Sequence, residues 1–123
     1  MIRAREIDHL VLRTVHPEAL VVFYCDVLGM VVERRVESAG LVQLRAGRSL
    51  LDVVTGEPGV GRNLDHFCLR IEPFDEAAIR AHLERHGVAA GPTEMRYGAE
   101  GSGPSIYIED PDGNVVELKG PPA

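Results

Sequence analysis

Apolar and polar positions alternate in short runs along this chain, and the alternation predicts strands. Ile7-Asp8-His9-Leu10-Val11-Leu12-Arg13 is the first such run, and it recurs, position for position, as Leu64-Asp65-His66-Phe67-Cys68-Leu69-Arg70. Asp, His, Leu and Arg coincide between the copies. Each copy precedes a helical stretch with its own punctuation. The first runs from about Pro17 to Leu28, with Pro17 suited to the first helical position and Gly29 to the residue just past the end. The second runs from about Asp75 to His86, with Asp75 as N-cap and Gly87 as the stop. Three further strand-like runs follow each helix: Met30–Val36, Leu41–Arg45 and Ser49–Val54, then Val88 to about Tyr97, Pro104–Glu109 and Asn114–Lys119. Asp110-Pro111-Asp112-Gly113 marks a tight turn before the last strand. The chain therefore reads as an internal duplication of a β-α-β-β-β unit, an α+β fold. Module 1 covers about 5–55, a glycine-rich linker about 56–63, and module 2 about 64–120, within one domain spanning 1–123.

Strand parity sorts the polar residues. Leu10 and Leu12 share one face of the first strand, opposite His9, Val11 and Arg13. Leu51 and Val53 oppose Asp52, Phe67 and Leu69 oppose His66, Cys68 and Arg70, and Val116 and Leu118 oppose Glu117 and Lys119. The apolar faces are the natural seats for the helices. The opposite faces then carry His9, Asp52, His66 and Glu117, one metal-competent side chain near the middle of each of four strands. Two imidazoles and two carboxylates buried together are costly without a positive charge among them, and they suit a divalent ion that keeps open positions.

Composition narrows the classes of function. The 123 residues suffice for one domain with a core that needs no disulfides. Acidic residues outnumber basic ones 19 to 13, for a formal charge of -6, which argues against a nucleic-acid partner. No apolar run is long enough to span a membrane, and the charged N-terminal stretch lacks the apolar core of a signal peptide, so a cytoplasmic location is expected. Cys25 and Cys68 have no CxxC spacing and are read as reduced thiols. The linker carries neither GxGxxG nor GK[ST] and is given no phosphate-binding role.

Several stretches together resemble the vicinal oxygen chelate superfamily, the glyoxalase, bleomycin-resistance and dioxygenase group. They are the Ile7-Asp8-His9 strand, Val22-Phe23-Tyr24 followed by Val27-Leu28-Gly29-Met30, the second Asp-His strand, and the ending Asp110-Pro111-Asp112-Gly113-Asn114-Val115-Val116-Glu117-Leu118. The resemblance covers essentially the whole chain. It implies paired βαβββ modules forming an open, barrel-like cup with helices on the outer face, a homodimer, and a divalent ion (Zn, Ni, Mn, Fe or Co) held by His9, His66 and Glu117. Asp52 stands where the family usually has Glu or Gln. Being one methylene shorter, it would reach the ion through a water or after a backbone shift, which leaves Glu117 as the better catalytic base.

The implied activity is glyoxalase I-like isomerisation or lyase chemistry on a small oxygen-bearing substrate, through an oxyanion or enediolate. A fosfomycin-resistance-like thiol transferase opening an epoxide is an alternative that needs only three ligands. A metal-free, drug-sequestering protein of the bleomycin-resistance type is another. Ring-cleaving dioxygenases also need only two His and one carboxylate, but they usually have four modules. Arg13, Arg70, Tyr97 and Tyr107 are candidate substrate-binding residues. Rim salt bridges are the favoured expectation for the two Arg, and a small buried filler for Cys68. Gly91–Pro104, rich in Gly and Pro, is the candidate mobile loop, with Arg96, Tyr97 and Glu100 as candidates for specificity.

Overall fold

A computed structural model describes residues 3, 5–61, 64 and 66–123. Arg62 and Asn63 of the linker and Asp65 of the second repeat lie outside the described residues. The chain divides into two compact units, Met1–Val60 and Gly61–Ala123.

The first unit contains β1 (His9–Thr14), α1 (Pro17–Val22), β2 (Val31–Val36), β3 (Leu41–Ala46) and β4 (Ser49–Thr55). The second contains β5 (Phe67–Arg70), α2 (Glu76–Arg85), β6 (Glu94–Gly98), β7 (Gly101–Glu109) and β8 (Val115–Lys119). The sheet orders are β1-β4-β3-β2 and β5-β8-β7-β6. In each, the first strand lies parallel to the last and the remaining neighbours are antiparallel. The duplication therefore extends to topology: two open, four-stranded βαβββ sheets in an α+β fold.

Register shows why the parity reading holds. Leu10 pairs with Leu51, Leu12 with Val53, and Leu44 and Val42 continue that face across β3. Leu12, Val42, Leu44, Leu51 and Val53 are all buried, together with Leu20 and Tyr24. In the second unit Phe67 pairs with Val116 and Leu69 with Leu118, while Ile106 and Ile108 extend the row on β7. Ile106, Ile108, Val116 and Leu118 are buried, as is Leu83 of α2. Each such side chain removed from water contributes about 1.5–3 kcal/mol, so these apolar faces hold each unit together. The opposite faces are left to carry polar groups.

The structure changes two local expectations. The first helix is regular only to Val22 and continues as a π-helical turn, Phe23–Val27. Within that turn the consecutive rings of Phe23 and Tyr24 are both buried, edge to face at 5.2 Å. The second change concerns 91–104, expected to be a mobile loop. Most of it is paired β-structure, with Glu94–Gly98 running antiparallel to the start of β7. Its glycines serve close packing. A Cβ on Gly103 would lie 2.4 Å from the Pro121 carbonyl oxygen, and one on Gly98 would lie 2.7 Å from Lys119 Cε. Loop-like composition here reflects strands that other chain segments press against. The helix start at Asp75 is as expected, its carboxylate accepting from the Ala78 N–H at 3.1 Å.

Candidate functional site

The second unit builds its site on the polar face of β5, β8 and β7. Cys68 pairs in register with Glu117, Arg70 with Lys119, Tyr107 with Glu117 and Ser105 with Lys119. Residues in register share a face, so these side chains converge. Glu117 lies at the centre and is 6% exposed. Ser105 Oγ donates to its Oε2 at 2.7 Å and Tyr107 OH to its Oε1 at 3.0 Å. His66 Nε2 lies 3.2 Å from the same Oε1, and the His66 and Tyr107 rings meet edge to face at 5.4 Å. Desolvation pushes the Glu117 carboxyl upward. The hydrogen bonds from Ser105 and Tyr107, with the charge and contact of His66, outweigh it and hold the carboxyl below its ordinary value. Desolvation is also the main reason the Tyr107 phenol is raised, so the hydroxyl keeps its proton and donates.

Beside this group lies a cavity of about 350 Å³, lined by His66, Cys68, Arg70, Glu117, Lys119, Gly120 and the stretch from Tyr97 to Glu100. That volume admits a small molecule. Tyr97, 85% exposed, stands on its lining. Arg70 Nε donates to Glu100 at 2.7 Å, the rim ion pair anticipated for this arginine. Arg96 pairs with Glu94, and its hydrogen bond to Tyr107 helps raise its own pKa.

Cys68 is exposed and lines the cavity; it is not the buried filler expected. Desolvation of the thiolate by the surrounding protein, then the Glu117 charge, push the thiol up to about 11. The thiol therefore stays protonated at neutral pH despite being reachable. In a Cys25→Ser variant, alkylation of Cys68 by iodoacetamide at pH 8.5 is expected to be roughly tenfold slower than for an exposed cysteine of ordinary pKa. The thiolate is scarcer, and its greater nucleophilicity recovers only part of the difference. Mass spectrometry of the alkylated fraction against time measures this. A rate equal to that of the ordinary thiol would contradict the raised pKa.

In the first unit His9, Val11 and Arg13 share a face with Leu50, Asp52 and Val54. His9 Nδ1 meets Asp8 Oδ2 at 2.8 Å. A neutral imidazole holding its proton on Nδ1 leaves the Nε2 lone pair available. That hydrogen bond is the main reason the His9 pKa is raised, and the Asp52 charge adds to it. Asp52 is buried, and Gln43 Nε2 donates to its two oxygens at 3.2 and 3.3 Å. Gln43 is held in turn by Arg34 Nε. Arg13 is exposed, and its Nη1 would lie 3.5 Å from a Cβ added at Gly56.

The chain is similar over residues 6–118 to the family model of the Glyoxalase/Bleomycin resistance protein/Dioxygenase superfamily. It belongs to that superfamily. A search of curated proteins returned no significant match. Among solved structures, an integron cassette protein from the mobile metagenome of V. cholerae is 26% identical, with 98% of each chain covered and a TM-score of 0.81. An antibiotic-binding protein from Streptomyces is 23% identical over 98% of this chain and 99% of its own, with a TM-score of 0.77. A lactoylglutathione lyase from Agrobacterium tumefaciens is 22% identical over 95% of this chain and 94% of its own, with a TM-score of 0.70. The last two share the fold.

The glyoxalase superfamily includes metal-dependent enzymes, so the donors of this member can be tested for fit. Among the described residues, neither unit gathers three His, Cys, Asp or Glu side chains into a metal-binding group. The first has His9 and Asp52 on one sheet face, and the second brings His66 and Glu117 into contact. Metal–ligand bonds of about 2.0–2.2 Å place neighbouring donors about 3.0–3.5 Å apart, and His66 Nε2 and Glu117 Oε1 stand at 3.2 Å. The donor set fits. Of the substrate candidates, Arg70 and Tyr97 line the cavity, Tyr107 supports Glu117, and Arg13 stands in the other unit. Sequence reasoning missed Ser105, Gln43 and Asp8 as supports. Ser105 lies two residues before Tyr107 on one strand face, which was the available signal.

Proposed function

We propose that this superfamily member is a divalent-metal-dependent enzyme of glyoxalase I-like type, acting on a small oxygen-bearing substrate by isomerisation or lyase chemistry. In this reading the two units are the halves of one domain, and His9, Asp52, His66 and Glu117 hold the ion. The observation that carries it is Glu117, a buried carboxylate kept ionised by Ser105 and Tyr107 with His66 at ligand spacing. When bound, the ion supplies Lewis acidity that stabilises negative charge on a substrate oxygen. The chain's own residues do the rest. Ser105 and Tyr107 fix the orientation of Glu117. Gln43 anchors Asp52, and Asp8 holds the His9 ring. Glu117 is ionised throughout the neutral range and is positioned to accept a proton. Its low pKa makes it a weak base, so it serves substrates whose carbon acid is strengthened where it is bound.

The protein is expected to be a cytoplasmic homodimer. The edge strand β2 is exposed along nearly its whole length, with Val31 at 65% exposure, and such an edge favours a partner surface. Among the described residues no helix is long and apolar enough to cross a membrane.

Elemental analysis after metal supplementation and desalting tests the central claim. About one divalent ion per chain is expected, with loss of about tenfold or more in affinity in His66→Ala. Because His9 holds its proton to higher pH than an ordinary imidazole, affinity should rise with pH through that range. Absence of retained metal in the parent protein would overturn the reading. The exposed Tyr97 ring on the cavity supports the second reading, a metal-free binding protein, which would then take precedence.

A further inference from the structure

The cavity of the second unit holds one charged group that has no hydrogen-bond partner among the described residues. Arg70 is paired with Glu100 at 2.7 Å. Glu117 is met by His66, Ser105 and Tyr107. Lys119, the chain's sole lysine, is 6% exposed, and among the described residues its Nζ has no hydrogen-bond partner. A buried ammonium without a partner is costly, and an isolated cation of this kind invites an anion. Its surroundings are built around it. A Cβ on Gly98 would lie 2.7 Å from Lys119 Cε, and one on Gly103 would lie 3.0 Å from Nζ. A side chain at Gly98 would displace the end of the lysine stem, and one at Gly103 would press on the ammonium itself.

We propose that Lys119 is the anchor for an oxyanion, the carboxylate or phosphate group of the small molecule that enters this cavity. Lys119 lines the cavity beside Glu117 and stands in register with Arg70 across β5 and β8. Its flexible four-carbon stem can turn the ammonium from beneath the glycines toward a ligand. Arg70, already engaged with Glu100 and the Ile71 carbonyl, adds positive potential rather than the first contact. Specificity follows: the cavity selects anionic small molecules over neutral or cationic ones of equal size. The inference goes beyond the metal-dependent reading and does not require it.

The test uses the full chain labelled with [15N]lysine, stripped of metal with EDTA and desalted. The single lysine gives a single Nζ resonance. Sodium pyruvate and, in a separate series, inorganic phosphate are titrated at ionic strength held constant with sodium chloride. A saturable shift with one of them is expected, and the series that saturates distinguishes carboxylate from phosphate. Tyrosine fluorescence then compares variants for that anion. Lys119→Met is expected to bind about tenfold or more weakly and Lys119→Arg to stay within about threefold. Lys119→Gln replaces the Met variant should that one fail to fold. A linear, unsaturating drift with both anions would overturn the proposal. So would a folded Lys119→Met or Lys119→Gln that binds as tightly as the parent. Because the protein is metal-free throughout, either outcome is independent of whether His66 and Glu117 hold an ion.

Discussion

Glu117→Ala is expected to lower folding stability by about 3 kcal/mol in metal-free protein at neutral pH. The substitution removes the acceptor for Ser105 Oγ, in a residue with no solvent exposure, and for Tyr107 OH. It also removes the partner of His66 Nε2. A buried hydroxyl left without a partner costs about 1–3 kcal/mol, and hydrogen bonds to a charged group are the stronger kind. The contact with His66 adds less, because that ring is partly open to solvent. Glu117→Gln keeps an acceptor oxygen in place and is expected to cost about half as much. Equilibrium urea unfolding of the three proteins measures both differences. A cost below about 1 kcal/mol for the Ala variant would show that the carboxylate is not the hub described.

The same group sets a pH dependence. Its folded pKa is depressed below the ordinary value of 4.5. Its contribution is therefore fully present above the unfolded value and is lost as the pH falls through the folded one. The stability gap between the parent and Glu117→Gln should close in that acid window and stay constant from there to neutrality.

Lys119→Met is expected to act in the opposite direction, raising stability by about 2 kcal/mol. Methionine fills a similar volume with an unbranched stem and brings no ammonium to desolvate. Among the described residues the buried Nζ has no hydrogen-bond partner, so removing the charge leaves none of their polar groups newly unpaired. The same unfolding curves decide the matter. A Lys119→Met protein less stable than the parent by 1 kcal/mol or so would mean that the ammonium makes a compensating interaction. A gain in stability alongside a loss of anion binding is the signature of a residue kept for function at the expense of the fold.

How much of this was legible beforehand can be judged residue by residue. The repeat around His9 and His66 stood in the letters of the chain, and with it the matching topology of the two sheets. So did the assignment of His66, Cys68, Arg70, Glu117 and Lys119 to the polar faces, because side chains alternate along any strand. Asp75 as N-cap and the turn after Asp110 were equally readable. Asp110 Oδ1 accepts from the Asp112 and Asn114 N–H groups, a local pattern that needs no distant partner.

Other features required the pairing of strands. Ser105 and Tyr107 gain their meaning only because β7 lies beside β8 in a register that aims both hydroxyls at Glu117. The stretch 91–104 looked like a loop because it is rich in glycine, yet Gly98 and Gly103 are small because Lys119 and Pro121 crowd them.

The sequence by itself determined the duplicated βαβββ plan, the polar face of each strand and the donor types available to a site, since these follow from local alternation and capping. Only the tertiary structure decided that Glu117 is locked by Ser105 and Tyr107 and that Lys119 is buried with no hydrogen-bond partner among the described residues. Both depend on which side chains from separate strands come within a few ångströms, and on whether water reaches them.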